Sequence, residues 1–468
     1  MDGTIDIQGS FSSEAPHPQS LIRPRHFVTT DGGKRDPLLH IAVAQVLPDE
    51  SGLHVSQPNS DSESVRAGLE KLEQWASEAA RQGADVVVFP EYFLSGASHD
   101  LWRRVREAQR RKLHQKQQQG QDGLNSILAV QGEEQEPQGE EKAWIEVIID
   151  VARANDVDIV AGTVVELGVQ PHGEALAGHP VNINIAARQQ ALQQQVDQDH
   201  IPHRLPKNKR AMLGGATHTS LPVAETDIDN GLYNTSYYIS RRGEVLYRYT
   251  KQNLWHPERE TLSHSQPSTH PDQHASDTTF TFQTKRGTKL RGSMAICWDL
   301  AWFSRFHQMI RPPQDGRKVS ASDLDLPGQA PGPDVIFAPT CWYASDGGPK
   351  ALLWNGVGEA QMLDNLCQTR AVELEAVLVM CNVAGPKLNA GEIEQLRSQL
   401  QQQDQQDQHS DLPLVGLGRS CICSPFLNTV AQVQDQSETL LLQSFDLNIL
   451  RDAREVYRMR YDHAKMAE

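Results

Sequence analysis

The stretch ADVVVFPEY, residues 84–92, decides the fold class. Three consecutive valines and Phe89 form an apolar, β-branched run that stops sharply at Pro90. A short continuous apolar run that ends in a turn residue is typical of a strand buried on both faces, as in sheets covered by helices. The strand is followed at once by the carboxyl side chain of Glu91. We therefore predict an acidic side chain at the carboxyl end of a buried strand.

The sequence on both sides of this strand alternates between strand and helix patterns. HIAVAQV (40–46) is an apolar run of the same kind, and residues 62–82 carry apolar residues at helical spacing. Residues 142–154 follow as a second amphipathic helix, and VDIVAGTVVE (157–166) reads as one further buried strand. Such alternation predicts an α/β fold built from layers of helices and sheets.

The second half of the chain repeats the pattern. The segments YNTSYYIS (233–240) and EVLYRYT (244–250) flank Gly243, which indicates a β-hairpin because glycine adopts positive φ readily. The remaining predicted elements are strands at 289–297, 333–339 and 376–385, a helix at about 357–375, a hairpin formed by VGLGRSCICS and TVAQVQ, and a polar helix at about 446–460.

Low-complexity segments interrupt these elements. Residues 1–38 lack periodicity and are rich in Ser, Pro, Gly and His, so we predict a disordered N-terminal extension. One domain is predicted over residues 39–450, followed by a helical tail at 451–468. Polar segments rich in Gln, Asp, Glu and Ser cannot bury enough apolar area to offset ordering entropy, so they are predicted to be disordered insertions. They lie near 109–141, 186–208, 261–277 and 393–412.

Composition restricts the partners and the cellular location. The net charge of -16 argues against nucleic acid or an anionic membrane as a partner. No apolar run approaches the roughly 20 residues that span a bilayer, and the N-terminus lacks the pattern of a secretory signal. The six cysteines form no CxxC pair and no metal-ligand spacing, which argues against disulfides or a zinc site. These features predict a cytoplasmic protein.

Three reactive residues follow predicted strands. Glu91 follows VVVFP, Lys251 follows VLYRYT, and Cys297 follows GSMAI. Loops at the carboxyl ends of strands converge over one edge of a sheet, so these side chains are expected to meet there. A carboxylate can accept the thiol proton, and an ammonium can stabilise an oxyanion, so the set suffices for acyl transfer. Taken singly, each residue is more often a surface charge or a small core residue.

Three segments resemble the signature motifs of the nitrilase superfamily. They are FPEYFLSG (89–96), YRYTKQNLWHPE (247–258) and SMAICWDLAWF (293–303), and they occur in the family's order. YNTSYYI (233–239) and RAVE (370–373) also match the framework of that family. The resemblance extends over roughly residues 39–450 and is closest to the amidase-like branch. It implies a four-layer αββα sandwich.

The resemblance also implies roles for individual residues. Glu91 is then the general base, Lys251 the transition-state cation and Cys297 the nucleophile, while Glu258 matches a second glutamate that supports the site. The implied chemistry passes through an acyl-thioester that water hydrolyses, with a small-molecule substrate and without a metal or an organic cofactor. The family also implies a homodimer or a higher homo-oligomer.

Departures from the family pattern concern the substrate pocket. The Pro-Glu pair that many amidase-type members carry after the nucleophile segment is missing, and Cys341 stands where a polar residue is common. Candidate pocket walls, each of which is as readily a packing residue, are Trp255, His256, Trp298, Trp342 and Tyr343.

Three functions remain open on the sequence. The first is hydrolysis of an amide or N-carbamoyl bond. The second is nitrile hydrolysis by a true nitrilase, although members of that kind usually carry Cys-Trp-Glu-Asn where this chain has Cys-Trp-Asp-Leu. The third is a non-catalytic binding protein with the nitrilase fold.

Overall fold

The structure is a computed structural model. The residues it describes are 21–22, 38–48, 61–94, 96–100, 102–103, 144–167, 231–264, 278–310, 332–385 and 416–466. Three of the predicted insertions, and most of the fourth, lie outside these residues. The predicted extension does so too, apart from Leu21, Ile22 and Leu38. Disorder of these segments stays a prediction.

Eight strands form the first sheet, in the order β1-β14-β2-β3-β4-β6-β5 with β7 paired to β6. Strands β2, β3 and β4 run parallel, and β14 lies antiparallel to β2 along its whole length. The bounds are β1 Leu21–Ile22, β2 Leu38–Gln45, β3 Val86–Val88, β4 Asp158–Val160, β5 Val164–Leu167, β6 Leu232–Ile239, β7 Val245–Thr250 and β14 Thr439–Asp446.

Six strands form the second sheet, in the order β13-β12-β11-β10-β9-β8. Its central strands β9, β10 and β11 run parallel, and antiparallel pairs flank them. The bounds are β8 Phe280–Gln283, β9 Lys289–Met294, β10 Val335–Thr340, β11 Val377–Asn382, β12 Cys421–Ser424 and β13 Asn428–Gln432.

The part of the chain that the structure describes contains seven α-helices. They are α1 Asp61–Arg81, α2 Trp144–Asn155, α3 Phe303–Met309, α4 Gly348–Trp354, α5 Gly358–Glu373, α6 Asn448–Tyr457 and α7 Met459–Met466. None of the described helices is long and apolar enough to cross a bilayer.

Strand β2 shows how alternation builds the layers. Ile41 and Val43 point into a core shared with the second sheet, where Phe337 also lies. Ala42 and Ala44, on the opposite face, pack in a separate core with residues of α1 and α2. Helix α5 contacts β11, β12 and β13 on the far side of the second sheet. The result is the four-layer αββα sandwich that the resemblance implied.

The structure corrects the predicted elements in two places. Residues 157–166 form two strands rather than one, because Gly162 has a φ of 67° between them. Both strands pair with β6, one along Tyr238–Ile239 and the other along Leu232–Thr235. The helix expected at 446–460 ends at Tyr457, and Arg458, with a φ of 58°, separates it from α7. The two predicted hairpins are confirmed as β6–β7 and β12–β13.

Candidate active site

The three predicted reactive residues meet between the two sheets. Glu91 lies three residues beyond β3, and Lys251 directly follows β7. Cys297 begins a short 3₁₀ helix, Cys297–Ala301, three residues beyond the end of β9. Burial is nearly complete, with exposed fractions of 0% for Glu91, 1% for Lys251 and 7% for Cys297.

Lys251 joins the two glutamates. Its Nζ donates to Oε1 of Glu91 at 2.8 Å and contacts both carboxylate oxygens of Glu258, at 2.7 and 2.9 Å. Glu258 lies in a 3₁₀ turn at Pro257–Glu260, where it also accepts hydrogen bonds from the Trp255 backbone N–H and the Tyr92 hydroxyl. The lysine is therefore clamped in one position by charged partners.

The acceptor positions of Glu91 are almost all occupied. Oε1 accepts from Nδ2 of Asn234 at 2.7 Å as well as from Lys251. Oε2 accepts from the backbone N–H of Cys341 at 3.0 Å. A carboxylate has about four lone-pair sites, so one remains, on Oε2. The thiol of Cys297 is near enough to this carboxylate for each group to shift the pKa of the other.

The pKa shifts have distinct causes. Burial raises the pKa of Glu91 to about 7, against the opposing charge of Lys251. Burial and the charge of Glu91 raise the pKa of the Cys297 thiol well above its ordinary value. Burial alone would lower the pKa of Lys251, but the carboxylates of Glu258 and Glu91 outweigh it and raise that pKa well above normal. The arrangement thus holds a protonated thiol beside a carboxylate that titrates near neutrality and a permanent ammonium.

The predicted pocket residues lie beside this cluster. The rings of Trp255 and Trp298 are 4.4 Å apart, and those of Trp298 and Trp342 are 5.6 Å apart, so the three form a continuous row. His256 packs on Trp255 at 4.3 Å. The hydroxyl of Tyr343 lies 3.1 Å from the Cys341 thiol. Their role in binding a substrate stays a prediction.

Sequence reasoning missed several polar residues of the site. Asn234 contacts Glu91, and Tyr92 contacts Glu258. Asp299 receives hydrogen bonds from both sides of the cluster. Asp346 accepts a hydrogen bond from the backbone N–H of Tyr343, and burial raises the pKa of its carboxyl group to about 7. The sequence alone does not single out Asn234, because the run YNTSYYI contains several polar residues.

Comparison with known proteins gives one match to a family. Residues 53–187 match the family model described as carbon-nitrogen hydrolase. This range contains Glu91, whereas Lys251, Glu258 and Cys297 lie beyond it. No curated protein sequence matches the chain.

Several solved structures are similar to the chain at low identity. Saccharomyces cerevisiae Nit3, a member of branch 10 of the nitrilase superfamily, is 16% identical with a TM-score of 0.46, over 89% of this chain and 93% of Nit3. A mutant of the Nesterenkonia AN1 amidase is 14% identical with a TM-score of 0.44, over 90% and 97%. The Caenorhabditis elegans NitFhit protein is 13% identical with a TM-score of 0.45, over 91% and 65%.

All three of these structural similarities are distant. The matched range includes the strand that precedes Glu91. Residues 53–187 of the chain are thus similar to the carbon-nitrogen hydrolases.

Proposed function

We propose that the protein hydrolyses an amide or N-carbamoyl bond of a small molecule, with Cys297 as nucleophile, Glu91 as general base and Lys251 as oxyanion donor. The observation that carries the proposal is the hydrogen-bond inventory of Glu91. Three donors fix its carboxylate and leave a single acceptor site, on Oε2, while the charge of this carboxylate raises the pKa of the Cys297 thiol. Such a carboxylate can do little except exchange a proton with the thiol or with the groups that replace it.

In the first step, Glu91 takes the thiol proton and the sulfur attacks the carbonyl carbon of the substrate. The thiolate is the attacking species, and it exists only transiently because the pKa of the free thiol is raised well above its ordinary value. The proton therefore moves as the C–S bond forms. Its acceptor, Glu91, has a pKa of about 7 and is substantially ionised at neutral pH.

In the second step, Lys251 stabilises the oxyanion and the C–N bond breaks. An ammonium has three N–H donors, and the paired contact with Glu258 can be served by one of them. One donor then holds Glu91, and the third is available to the substrate oxygen. Collapse of the tetrahedral state expels the nitrogen, which receives the proton that Glu91 holds. The product on the protein is a thioester at Cys297.

In the third step, water releases the acyl group. Glu91 takes one proton from a water molecule, and the oxygen of that water attacks the thioester carbon. Lys251 again stabilises the oxyanion. The C–S bond then breaks and the sulfur recovers the proton from Glu91. The products are a carboxylic or carbamic acid, and the thiol is regenerated.

Intact-protein mass spectrometry tests the proposal. The protein is incubated with a panel of amides, N-carbamoyl compounds and nitriles, quenched in acid and weighed. An acyl or carbamoyl adduct on Cys297, together with turnover, supports the proposal. A thioimidate from a nitrile alone supports the true nitrilase instead, and neither adduct nor turnover with any compound supports the non-catalytic protein.

Two variants control this experiment. Cys297→Ala is expected to abolish both adduct and turnover while the protein stays folded. Cys367→Ala removes another buried thiol, on α5, and should leave both intact. Hydrolysis that persists in Cys297→Ala contradicts the mechanism.

A further inference from the structure

Asp299 fixes the turn that carries Cys297. Its carboxylate oxygen Oδ2 accepts the backbone N–H of Ile296 at 2.9 Å, while its own N–H donates to the Ile296 carbonyl at 2.9 Å. This reciprocal pair encloses Cys297, whose φ of 45° lies in the left-handed region that non-glycine residues rarely adopt. The turn is thus held in a strained conformation by a side chain two residues beyond the nucleophile.

The same carboxylate also holds the segment that carries Lys251. Oδ1 accepts the backbone N–H of Asn253 at 2.9 Å and Nδ2 of Asn253 at 2.8 Å. Oδ2 accepts the hydroxyl of Tyr249 at 2.8 Å. Tyr249 and Asn253 lie two residues before and two residues after Lys251, so the contacts bracket the lysine.

The geometry points to Asp299 as a positioning residue that sets the nucleophile of Cys297 and the ammonium of Lys251 in a fixed mutual arrangement. This inference rests on the proposed function. Asp299 is fully buried, and four donors from two segments of the chain converge on its two oxygens. Buried charge-assisted hydrogen bonds of this kind are strong and directional, so they restrict both segments at once.

Asparagine cannot replace Asp299 in this position. Each oxygen accepts one backbone N–H, from Ile296 on Oδ2 and from Asn253 on Oδ1. Whichever way the asparagine amide is turned, its NH₂ group faces one of these backbone donors, which cannot turn away or become an acceptor. Asp299→Asn therefore releases one of the two segments with almost no change in side-chain volume.

The experiment measures kcat, KM and the alkylation rate of Cys297 by iodoacetamide in Asp299→Asn. Because misplacement by about 1 Å can cost on the order of 100-fold, kcat should fall by about that factor with KM little changed. The alkylation rate should fall as well. Alkylation needs no substrate, so it tests this inference even if the panel of substrates yields no turnover.

Asp158→Asn is the matched control. Asp158 is buried and accepts hydrogen bonds from the Tyr238 hydroxyl and the Arg241 backbone N–H, but it lies at the start of β4, away from the cluster. It should lower the melting temperature and leave kcat and alkylation unchanged. Equal losses in the two variants, or rates in folded Asp299→Asn within a few-fold of the parent, overturn the inference.

Two milder variants keep the test valid if Asp299→Asn does not fold. Tyr249→Phe and Asn253→Ala each remove one side-chain donor and keep the backbone contacts, so each should lower kcat by about three- to tenfold. If Asp299→Asn folds, adding Tyr249→Phe should cost little more, because both changes act on one network. Full kcat in both milder variants, or strict additivity in the double variant, also contradicts the inference.

Discussion

The buried cluster contains more negative than positive side chains. Glu91 and Glu258 are both bonded to one ammonium, that of Lys251, and all three are almost fully buried. Removing charges from water is costly unless they are paired, so two buried carboxylates beside one ammonium favour protonation of one carboxylate. Glu91 has the raised pKa that this predicts, so it can bind a proton near neutral pH. The same raised pKa makes Glu91 an effective base near neutral pH.

The titration of Glu91 predicts the acid limb of the pH–rate profile. Its pKa is raised to about 7, and the base must be ionised to accept the thiol proton. The value of kcat/KM should therefore fall about tenfold per pH unit below about pH 7. Steady-state rates from pH 5 to 8 check this. A flat profile over that range contradicts the role of Glu91, as does a Glu91→Gln variant that loses less than about 100-fold.

Lys251 separates catalysis from binding. If its ammonium stabilises charge that exists only in the tetrahedral state, Lys251→Met should lower turnover by about 100- to 1000-fold and change KM little. Arginine should not rescue it, because a planar guanidinium cannot occupy the place of a compact ammonium between Glu91 and Glu258. Lys289→Met, at the exposed start of β9, is the control. Turnover within a few-fold of the parent would remove Lys251 from the catalytic set.

Strand ends explain how far the sequence predicted the site. Glu91, Lys251 and Cys297 each follow a run that a single sequence identifies as a buried strand, and topology then brings the three ends together. Asn234 lies in the middle of β6, where no local pattern separates a functional amide from an ordinary buried one. The role of Asp299 depends on donors some 50 residues earlier in the chain, which become neighbours only in the folded protein.

Strand β14 shows the corresponding limit for the fold. Its sequence TLLLQSFD pairs with β2 over eight residues, yet the pattern predicts no strand. A short run of leucines fits a helix as well as a strand, and it lacks the β-branched residues that mark β3. Burial against β2 decides the conformation, which is a tertiary effect. The break between β4 and β5 is also a tertiary effect, because it depends on how closely Gly162 approaches the backbone of Pro90.

Gly162 connects a backbone constraint to the site. With a φ of 67°, a Cβ at this position would lie 2.1 Å from the carbonyl oxygen of Pro90, directly before Glu91. Gly162→Ala should lower the free energy of unfolding by about 2–5 kcal/mol and reduce turnover by displacing Glu91. Gly83→Ala is the control, because Gly83 has a φ of 84° but no atom within 4 Å of a built Cβ. It should cost about 1–2 kcal/mol and leave turnover unchanged. Urea unfolding and kcat compare the two, and equal effects would contradict the contact with Pro90.

At the scale of the whole molecule, the second sheet has two different ends. The carboxyl ends of β9 and β10 hold Cys297 and Cys341. At the amino ends, Asp334 precedes β10 and Glu375 precedes β11, and both receive contacts from the C-terminal helices. Helix α6 supplies Arg454, and α7 supplies Arg460, which donates to backbone carbonyls there. The candidate active site thus lies at the carboxyl ends of these strands, and the C-terminal helices pack at their amino ends.

This separation predicts that the two ends can be disturbed independently. Arg454 and Asp334 form an ion pair at 2.8 Å, and each side chain is only 1% exposed. Arg454→Met leaves Asp334 buried without that partner, so the free energy of unfolding should fall by about 3–5 kcal/mol. Arg451→Met, on the same helix, breaks an ion pair with Asp452 in which both side chains are about half exposed, and should cost less than about 1 kcal/mol.

Urea unfolding of the two arginine variants measures their loss of stability. The value of kcat, measured well below the urea concentration at which each variant unfolds, tests whether turnover is unchanged. Folded Arg454→Met should turn over like the parent, because the pair lies at the opposite end of β10 from Cys341. A loss of kcat in the folded variant would show that the docking of α6 is transmitted along β10 to the site. Equal stabilities for the two variants would instead show that Asp334 finds another partner once Arg454 is gone.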